Sequence, residues 1–252
     1  MTDEIVIKTT GLSKRYGSSF YAVQNVNVEI KRGEIYGIIG ENGAGKTTFI
    51  RLLMGLVLPT AGTVEIFGKS DAASLSAARK RIGSIVEAPA LYPSMNAYKN
   101  LENHAILLGI PKAERKVRIE QVLEDVKLTD TGKKKAKNFS LGMKQRLALA
   151  VALLSKPEIL ILDEPINGLD PKGIIENREM LTKFAAEQNI TILISSHILA
   201  ELALFATRFC IISGGTVVRT VTAEELANDV ELGAERRAAS RLEKYFLNST
   251  SM

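Results

Sequence analysis

The stretch Gly40-Glu-Asn-Gly-Ala-Gly-Lys-Thr-Thr48 carries the clearest chemistry in the sequence. It follows an apolar run, Glu34-Ile-Tyr-Gly-Ile-Ile39, and runs into Phe49-Ile-Arg-Leu-Leu-Met54. The first flank reads as a buried strand and the second as a helix. G-x-x-x-x-G-K-[ST] in that setting is a phosphate-binding loop. Backbone N–H groups must wrap closely around oxyanions, so side chains are removed at Gly40, Gly43 and Gly45. The following helix adds the partial positive charge of its N-terminus. Lys46 is placed to reach β- and γ-phosphates, and the Thr47 hydroxyl to ligate Mg²⁺. The expected ligand is a nucleoside triphosphate with its metal.

A second chemical unit is Ile159-Leu-Ile-Leu-Asp163-Glu164, an apolar run ending in two acids. In open α/β sheets ligands bind at the carboxyl ends of strands, which is where this run puts the pair. Asp163 suits the Mg²⁺ shell and Glu164 suits polarising an attacking water. His197 follows another apolar run, Thr191 to Ser195. On local sequence it is either a satisfied structural residue or a partner for a γ-phosphate. Phe139-Ser-Leu-Gly-Met143 opens a helix, with Ser140 as N-cap and Gly142 allowing close approach to the first-turn amides. Read locally, that is also a plain helix start. Ile166-Asn-Gly-Leu-Asp170 reads as a turn with Asp170 as the next N-cap. Tyr16, in Lys14-Arg-Tyr-Gly17, is either core, surface or a base-stacking ring. His104 reads as a surface residue.

These groups need a scaffold. Residues 5–9 and 22–30 alternate apolar and polar, the pattern of half-buried strands. Thr63–Phe67, Ile82–Val86, Ile159–Glu164, Ile190–Ser195, Arg208–Ile212 and Thr216–Arg219 read as strands. Residues 72–81, Pro171–Gln188 and 198–205 read as helices. Between them, Tyr98–Leu108, Lys112–Val126 and Leu141–Leu154 are helical without intervening strands, which predicts a helical subdomain inserted in an α/β core. Thr222 with Glu225 forms a capping-box pattern, and Glu235–Phe246 reads as a charged amphipathic helix.

The 252 residues hold 46% hydrophobic and 24% charged residues, ordinary for a globular chain. No apolar run approaches the roughly 18–20 residues that cross a bilayer. Met1-Thr-Asp-Glu4 lacks a signal-peptide pattern, so the expectation is a cytoplasmic chain whose membrane role needs a partner. The single Cys210 excludes an internal disulfide and reads as a buried strand residue. The net charge is +5, with basic clusters at Lys112–Arg118 and Lys133–Lys137. Neither has interleaved aromatic residues, which argues against a nucleic-acid surface.

Taken in this order, the motifs resemble the nucleotide-binding domain of ABC (ATP-binding cassette) proteins over essentially the whole chain. The resemblance implies an ABC-type P-loop NTPase core with an antiparallel β subdomain and an inserted helical subdomain. It implies one nucleotide-binding domain over 1–252, with helical insert at about 88–155 and a helical tail over 222–252. Tyr16 would stack on adenine. Gly40, Glu41, Asn42, Gly43, Ala44, Gly45, Lys46, Thr47 and Thr48 would form the Walker A loop, with ATP and Mg²⁺ as ligands. Glu87 falls at the Q-loop position, near metal and water. Ser140, Gly142 and Met143 belong to the signature, Asp163 and Glu164 to Walker B, Asn167–Asp170 to the D-loop, and His197 is the switch histidine. The family pairs two such domains head to tail, so the ligand of Ser140 and Gly142 is expected in trans.

Two departures stand out. The usual signature is Leu-Ser-Gly-Gly-Gln, and Leu141 here takes the place of a glycine. The usual Q-loop residue is Gln, and a Glu loses the amide donors and adds charge. Glu87 with Ala-Pro-Ala-Leu-Tyr-Pro, and Ser-Leu-Gly-Met-Lys-Gln-Arg, resemble the bacitracin and lantibiotic subfamily. The Glu itself and the ending Leu242–Phe246 resemble lantibiotic self-immunity exporters. The implied function is the ATPase subunit of an exporter, peripheral on the cytoplasmic face of the membrane, serving a separate permease. The alternatives are another ABC transporter's ATPase or a soluble ABC ATPase; one Walker A and no long coiled coil disfavour the latter.

Overall fold

Strands buried on both faces lose the polar alternation of surface strands and read as unbroken apolar runs. A computed structural model describes residues 3–87, 90–197 and 199–228. In chain order they form β1 (Ile5–Tyr16), β2 (Phe20–Lys31), β3 (Ile35–Ile39), α1 (Lys46–Met54), β4 (Ala61–Ile66), α2 (Ala72–Arg79), β5 (Ile82–Ile85), α3 (Ala97–Leu107), α4 (Lys112–Asp125), α5 (Leu141–Leu153), β6 (Ile159–Asp163), α6 (Pro171–Gln188), β7 (Thr191–Ser196), α7 (Leu199–Leu202), β8 (Arg208–Ser213), β9 (Thr216–Thr222) and α8 (Ala223–Asn228). Every residue of β3, β6 and β7 is buried.

Those three runs are central in a six-stranded sheet of order β5-β6-β7-β3-β8-β9. Its strands are parallel from β5 to β8, and β9 returns antiparallel. Parallel register brings the carboxyl ends together: Ile39 lies opposite Ser196, and Asp163 opposite Ser195. The loops after β3, β6 and β7 therefore meet along one edge. Alternation splits each strand between two cores. Ile35, Ile39, Leu160 and Leu162 join a core with α5 and α6, while Tyr36, Ile38, Ile159 and Ile161 join one with α1 and the second sheet.

The second sheet is antiparallel, of order β2-β1-β4. Its first two strands are longer than the alternation predicts. Lys14-Arg-Tyr16 lies within β1, where Tyr16 pairs with Phe20 across the hairpin, and not between strands. Bulges interrupt the register between Thr9 and Leu12 and again on either side of Lys14. Each bulge shifts the inward face by one residue and erases the period-two signal.

Among the described residues, three helices and two short 3₁₀ turns fill the interval between β5 and β6. Asn100, fully buried on α3, fixes the entry to them. Its Oδ1 accepts from the Tyr92 N–H at 2.7 Å, and its Nδ2 donates to the carbonyls of Tyr92, Met95 and Asn96. His104 is half-buried, not a free surface residue: its Nε2 lies 2.9 Å from the Ala90 carbonyl and its ring leans on Tyr92. The basic clusters are partly committed to structure. Arg115 donates to the Ile110 carbonyl, and Arg118 to the Leu154 carbonyl at the end of α5.

Cys210 is buried in β8, and burial pushes its thiol up to about 12, which keeps it neutral and structural. The capping box is present, with Thr222 and Glu225 exchanging backbone-to-side-chain bonds of 2.7 and 3.0 Å. The expected helix over Glu235–Phe246 lies outside the described residues.

Helix α5 lies close against β5. A Cβ on Gly83 would stand 2.3 Å from the Ala152 carbonyl oxygen and 2.9 Å from Leu160. Gly83→Ala is expected to destabilise the protein by about 1–3 kcal/mol, the usual range for overpacking. A denaturant melt checks this; an unchanged midpoint would show that α5 is free to move off the sheet.

Candidate active site

The loop after β3 is held from two sides. A Cβ on Gly40 would lie 2.4 Å from the Ile212 carbonyl oxygen of β8. Gly45 has φ +108, and its Cβ would lie 2.3 Å from the Ala22 carbonyl oxygen of β2. No other residue type fits there. Gly43 has φ +86 with open space around it, so its turn needs glycine for conformation alone. Backbone bonds tie the loop to the β8–β9 turn: the Gly215 N–H donates to the Ala44 carbonyl at 3.0 Å, and the Gln24 N–H to the Gly215 carbonyl at 2.7 Å. Glu41 and Asn42 are exposed, and Thr48 is half-buried in the first turn of α1.

Lys46 is 5% exposed, and its ammonium is surrounded by oxygen. It donates to the carbonyls of Gly40 (2.7 Å) and Glu41 (3.1 Å) and sits 3.1 Å from Glu164 Oε1. Thr47 Oγ1 donates to Asp163 Oδ2 at 2.8 Å, joining the loop to the end of β6. Ser195 Oγ donates to Asp163 Oδ1 at 2.6 Å and accepts the Glu164 N–H at 2.9 Å. Glu164 adopts φ +47, which turns its side chain back over the loop. Its Oε2 lies 2.7 Å from His197 Nδ1 and accepts from Asn167 Nδ2 at 3.4 Å.

Five expected residues are thus brought together: Lys46, Thr47, Asp163, Glu164 and His197. The hydroxyl of Thr47 and the single carboxylate of Asp163 are hard oxygen donors touching one another. Among the described residues no group of three or more His, Cys, Asp or Glu could cage an ion. A site that offers one carboxylate and one hydroxyl suits Mg²⁺, which takes its remaining oxygens from phosphates and water.

Other expected residues lie around this centre. Tyr16, at the end of β1, is 40% exposed, with the Lys14 ammonium 5.2 Å from its ring centroid. Glu87 follows β5 with φ +64, and its carboxylate pairs with Arg51 on α1. Asp170 caps α6 by accepting the Gly173 N–H at 3.0 Å, with Pro171 in the first turn. Ser140 caps α5 by accepting the Met143 N–H at 3.3 Å. Ser140 and Gly142 line a separate groove of about 500 Å³ with Leu169, Asp170 and Glu176, and no phosphate-loop residue is among its walls. A cavity of about 810 Å³ lies at the opposite edge of the sheet between α4 and the starts of β6 and β7. Several charges on its walls are already paired, Arg32 with Glu158 and Arg118 with Glu114.

Ser195 was not singled out from the sequence. Its signal is slight, a polar residue ending an apolar strand, and its importance depends on lying beside Asp163 in register. Arg51 and Arg146 were missed for the same reason: their partners, Glu87 and Glu176, are distant in the chain.

A family model described as "ABC transporter" matches residues 23–167. The bacitracin transport ATP-binding protein BcrA of Bacillus licheniformis is 45% identical over 247 residues, covering 96% of this chain and 79% of its own length. The lantibiotic transport ATP-binding protein SrtF of Streptococcus pyogenes is 40% identical over 92% of this chain and 100% of its own length. Among solved structures, the dimeric post-hydrolysis state of the ATP-binding cassette MJ0796, bound to ADP and Pi, superposes with TM-score 0.77 at 29% identity. It covers 86% of this chain and 98% of that one. The structure of cbiO1 from Clostridium perfringens superposes with TM-score 0.83 at 27% identity, covering 97% and 98%.

Ser195 orients both acids, so Ser195→Ala should lower ATP turnover about tenfold, at the lower end of the range for groups that orient site ligands. Steady-state kinetics and a thermal melt on one preparation check this. Wild-type turnover in a stable variant would remove Ser195 from the site.

Proposed function

The chain belongs to the ABC transporter family, and from that premise we propose that it powers a separate permease which expels a peptide antibiotic from the membrane. It is an ATPase, and the substrate class rests on the relatives: one named for lantibiotic transport is matched over its full length, and another is named for bacitracin transport. Among the described residues no helix is long and apolar enough to cross a membrane. A peripheral position on the cytoplasmic face, held by the permease, agrees with that.

The observation that carries the catalytic reading is the continuous contact Lys46–Glu164–His197 beside Thr47–Asp163. Adenine stacks on Tyr16. The loop amides from Gly40 to Thr48 and the N-terminus of α1 receive the phosphates. Lys46 exchanges its contacts with the loop carbonyls and Glu164 for the β- and γ-phosphate oxygens. Thr47 and Asp163 would hold Mg²⁺, which would supply neutralisation of the phosphate charge. Lys46 leaving frees Glu164 Oε1 to accept a hydrogen bond from the attacking water, which approaches the γ-phosphorus in line with the bond to ADP. His197, held at Glu164 Oε2, keeps that carboxylate oriented and faces the γ-phosphate. Ser195 holds Asp163 and the Glu164 backbone in place.

Ser140, Gly142 and Met143 sit at the start of α5, and the first two line a groove that no residue of the Lys46 loop enters. Two copies related head to tail let that helix start close over the γ-phosphate bound by the partner copy. The dimeric solved relative supports this arrangement. The helical region between β5 and β6 and Glu87 at its entrance form the side that faces the permease.

Glu164→Gln is expected to bind ATP with near wild-type affinity, lose at least about a hundredfold in turnover and accumulate as an ATP-bound dimer. Nucleotide binding, phosphate release and sedimentation together test it. Wild-type turnover refutes the assignment of Glu164, and a monomer at saturating ATP refutes the head-to-tail site.

Glu87→Gln removes the charge that pairs with Arg51. Hydrolysis should persist, with its Mg²⁺ dependence or its coupling to transport altered. Magnesium titrations of ATPase activity, with transport measured in vesicles carrying the permease, read this out. Identical curves and identical transport would show Glu87 to be a surface charge.

A further inference from the structure

Leu141 stands where the family places a glycine, and none of the steps above uses it. It is the first residue of α5, next to the cap Ser140, and its side chain is only half covered, at 47% exposure. What covers it is the turn after Glu164. Gly168 in that turn has φ +74, and a Cβ built there would lie 3.1 Å from Leu141 Cδ2. The reverse contact exists as well: a Cβ on Gly142 would lie 3.8 Å from Leu169 Cδ2. Each loop therefore sets a leucine on the other's glycine. A side chain on Gly168 would force Leu141 away as well as strain the backbone.

The same two segments are pinned again further along. Arg146 of α5 pairs with Glu176 of α6, and both side chains are about four-fifths buried, at 20% and 23% exposure. The turn has its own internal bonds, from the Asn167 N–H to the Glu164 carbonyl and from the Leu169 N–H to the Ile166 carbonyl, both 3.2 Å. Ile166 anchors its base at 3% exposure. At its other side Asn167 Nδ2 reaches the Glu164 carboxylate. A contact chain thus runs Leu141–Gly168–Asn167–Glu164, from the start of α5 to the acid at the end of β6.

We infer that Leu141 is a positioning residue for hydrolysis: seated on Gly168, it fixes the 166–169 turn and through Asn167 the orientation of Glu164. This rests on the reading of Glu164 as the water-polarising acid. It gives the leucine a role that a glycine could not fill. The start of α5 and the hydrolytic carboxylate of the same chain then move as one unit, and displacement of one reorients the other.

The test uses the full chain with Leu141→Gly and Leu141→Met, read by amide hydrogen exchange without nucleotide and by kcat and KM with ATP. The glycine variant should speed exchange at 167–169 about tenfold, as expected when a local contact is released. It should lower kcat about tenfold with little change in KM, and methionine should restore both. Unchanged exchange at 167–169 overturns the inference. So does faster exchange spread evenly over α5 and α6, since that marks general loosening. Faster local exchange with unaltered kcat overturns the link to Glu164. The exchange measurement does not depend on catalysis, so if Glu164→Gln retains full turnover, the assignment of Glu164 fails while the contact itself is still judged.

Discussion

An ammonium group taken out of water must be surrounded by oxygen or it destabilises the fold. Lys46 meets that requirement with two carbonyls of its own loop and one carboxylate from a strand far away in sequence. The rest of the structure supplies those oxygens in place. β3 and β6 lie in one sheet with β7 between them, so the loop and the acid pair emerge at the same edge. Ser195, from the intervening strand, bonds to the Asp163 carboxylate and the Glu164 backbone N–H. The ammonium is thereby held at the mouth of the loop, with oxygen partners that phosphate oxygens can replace.

The parallel sheet was legible because its strands are short and uninterrupted and the central three are fully buried. Helix starts were legible where a side chain caps them, as at Ser140, Asp170 and Thr222. The antiparallel sheet was read short. Bulges near Leu12 and Lys14 shift the inward face, and periodicity cannot be followed through such a shift. His104 illustrates a different limit. Its helical context is polar, but its partners are the Ala90 carbonyl and the Tyr92 ring, and nothing local to the helix announces them.

The site divides in the same way. Residue types that follow from chemistry within one loop, such as Gly45, Lys46 and Thr47, were readable from spacing. Asp163 and Glu164 were readable because an apolar strand aims them. Contacts that depend on two segments meeting were not. The serine bridging both acids, the arginine on Glu87 and the leucine on Gly168 each appear only when the chain is folded, since each partner is ordinary in its own neighbourhood. The departures at Glu87 and Leu141 were visible as departures, and the fold supplies what they touch.

The turn between β8 and β9 bonds to the phosphate loop at Ala44 and to β2 at Gln24 through a single residue, Gly215. The parallel and antiparallel sheets are thus stitched together beside the loop that carries Lys46. A tilt of one sheet against the other bears on the loop through these two bonds. Inter-sheet geometry therefore bears on the shape of the loop that carries Lys46. Changes in the outer hairpin, remote from every catalytic side chain, have a direct mechanical route to it.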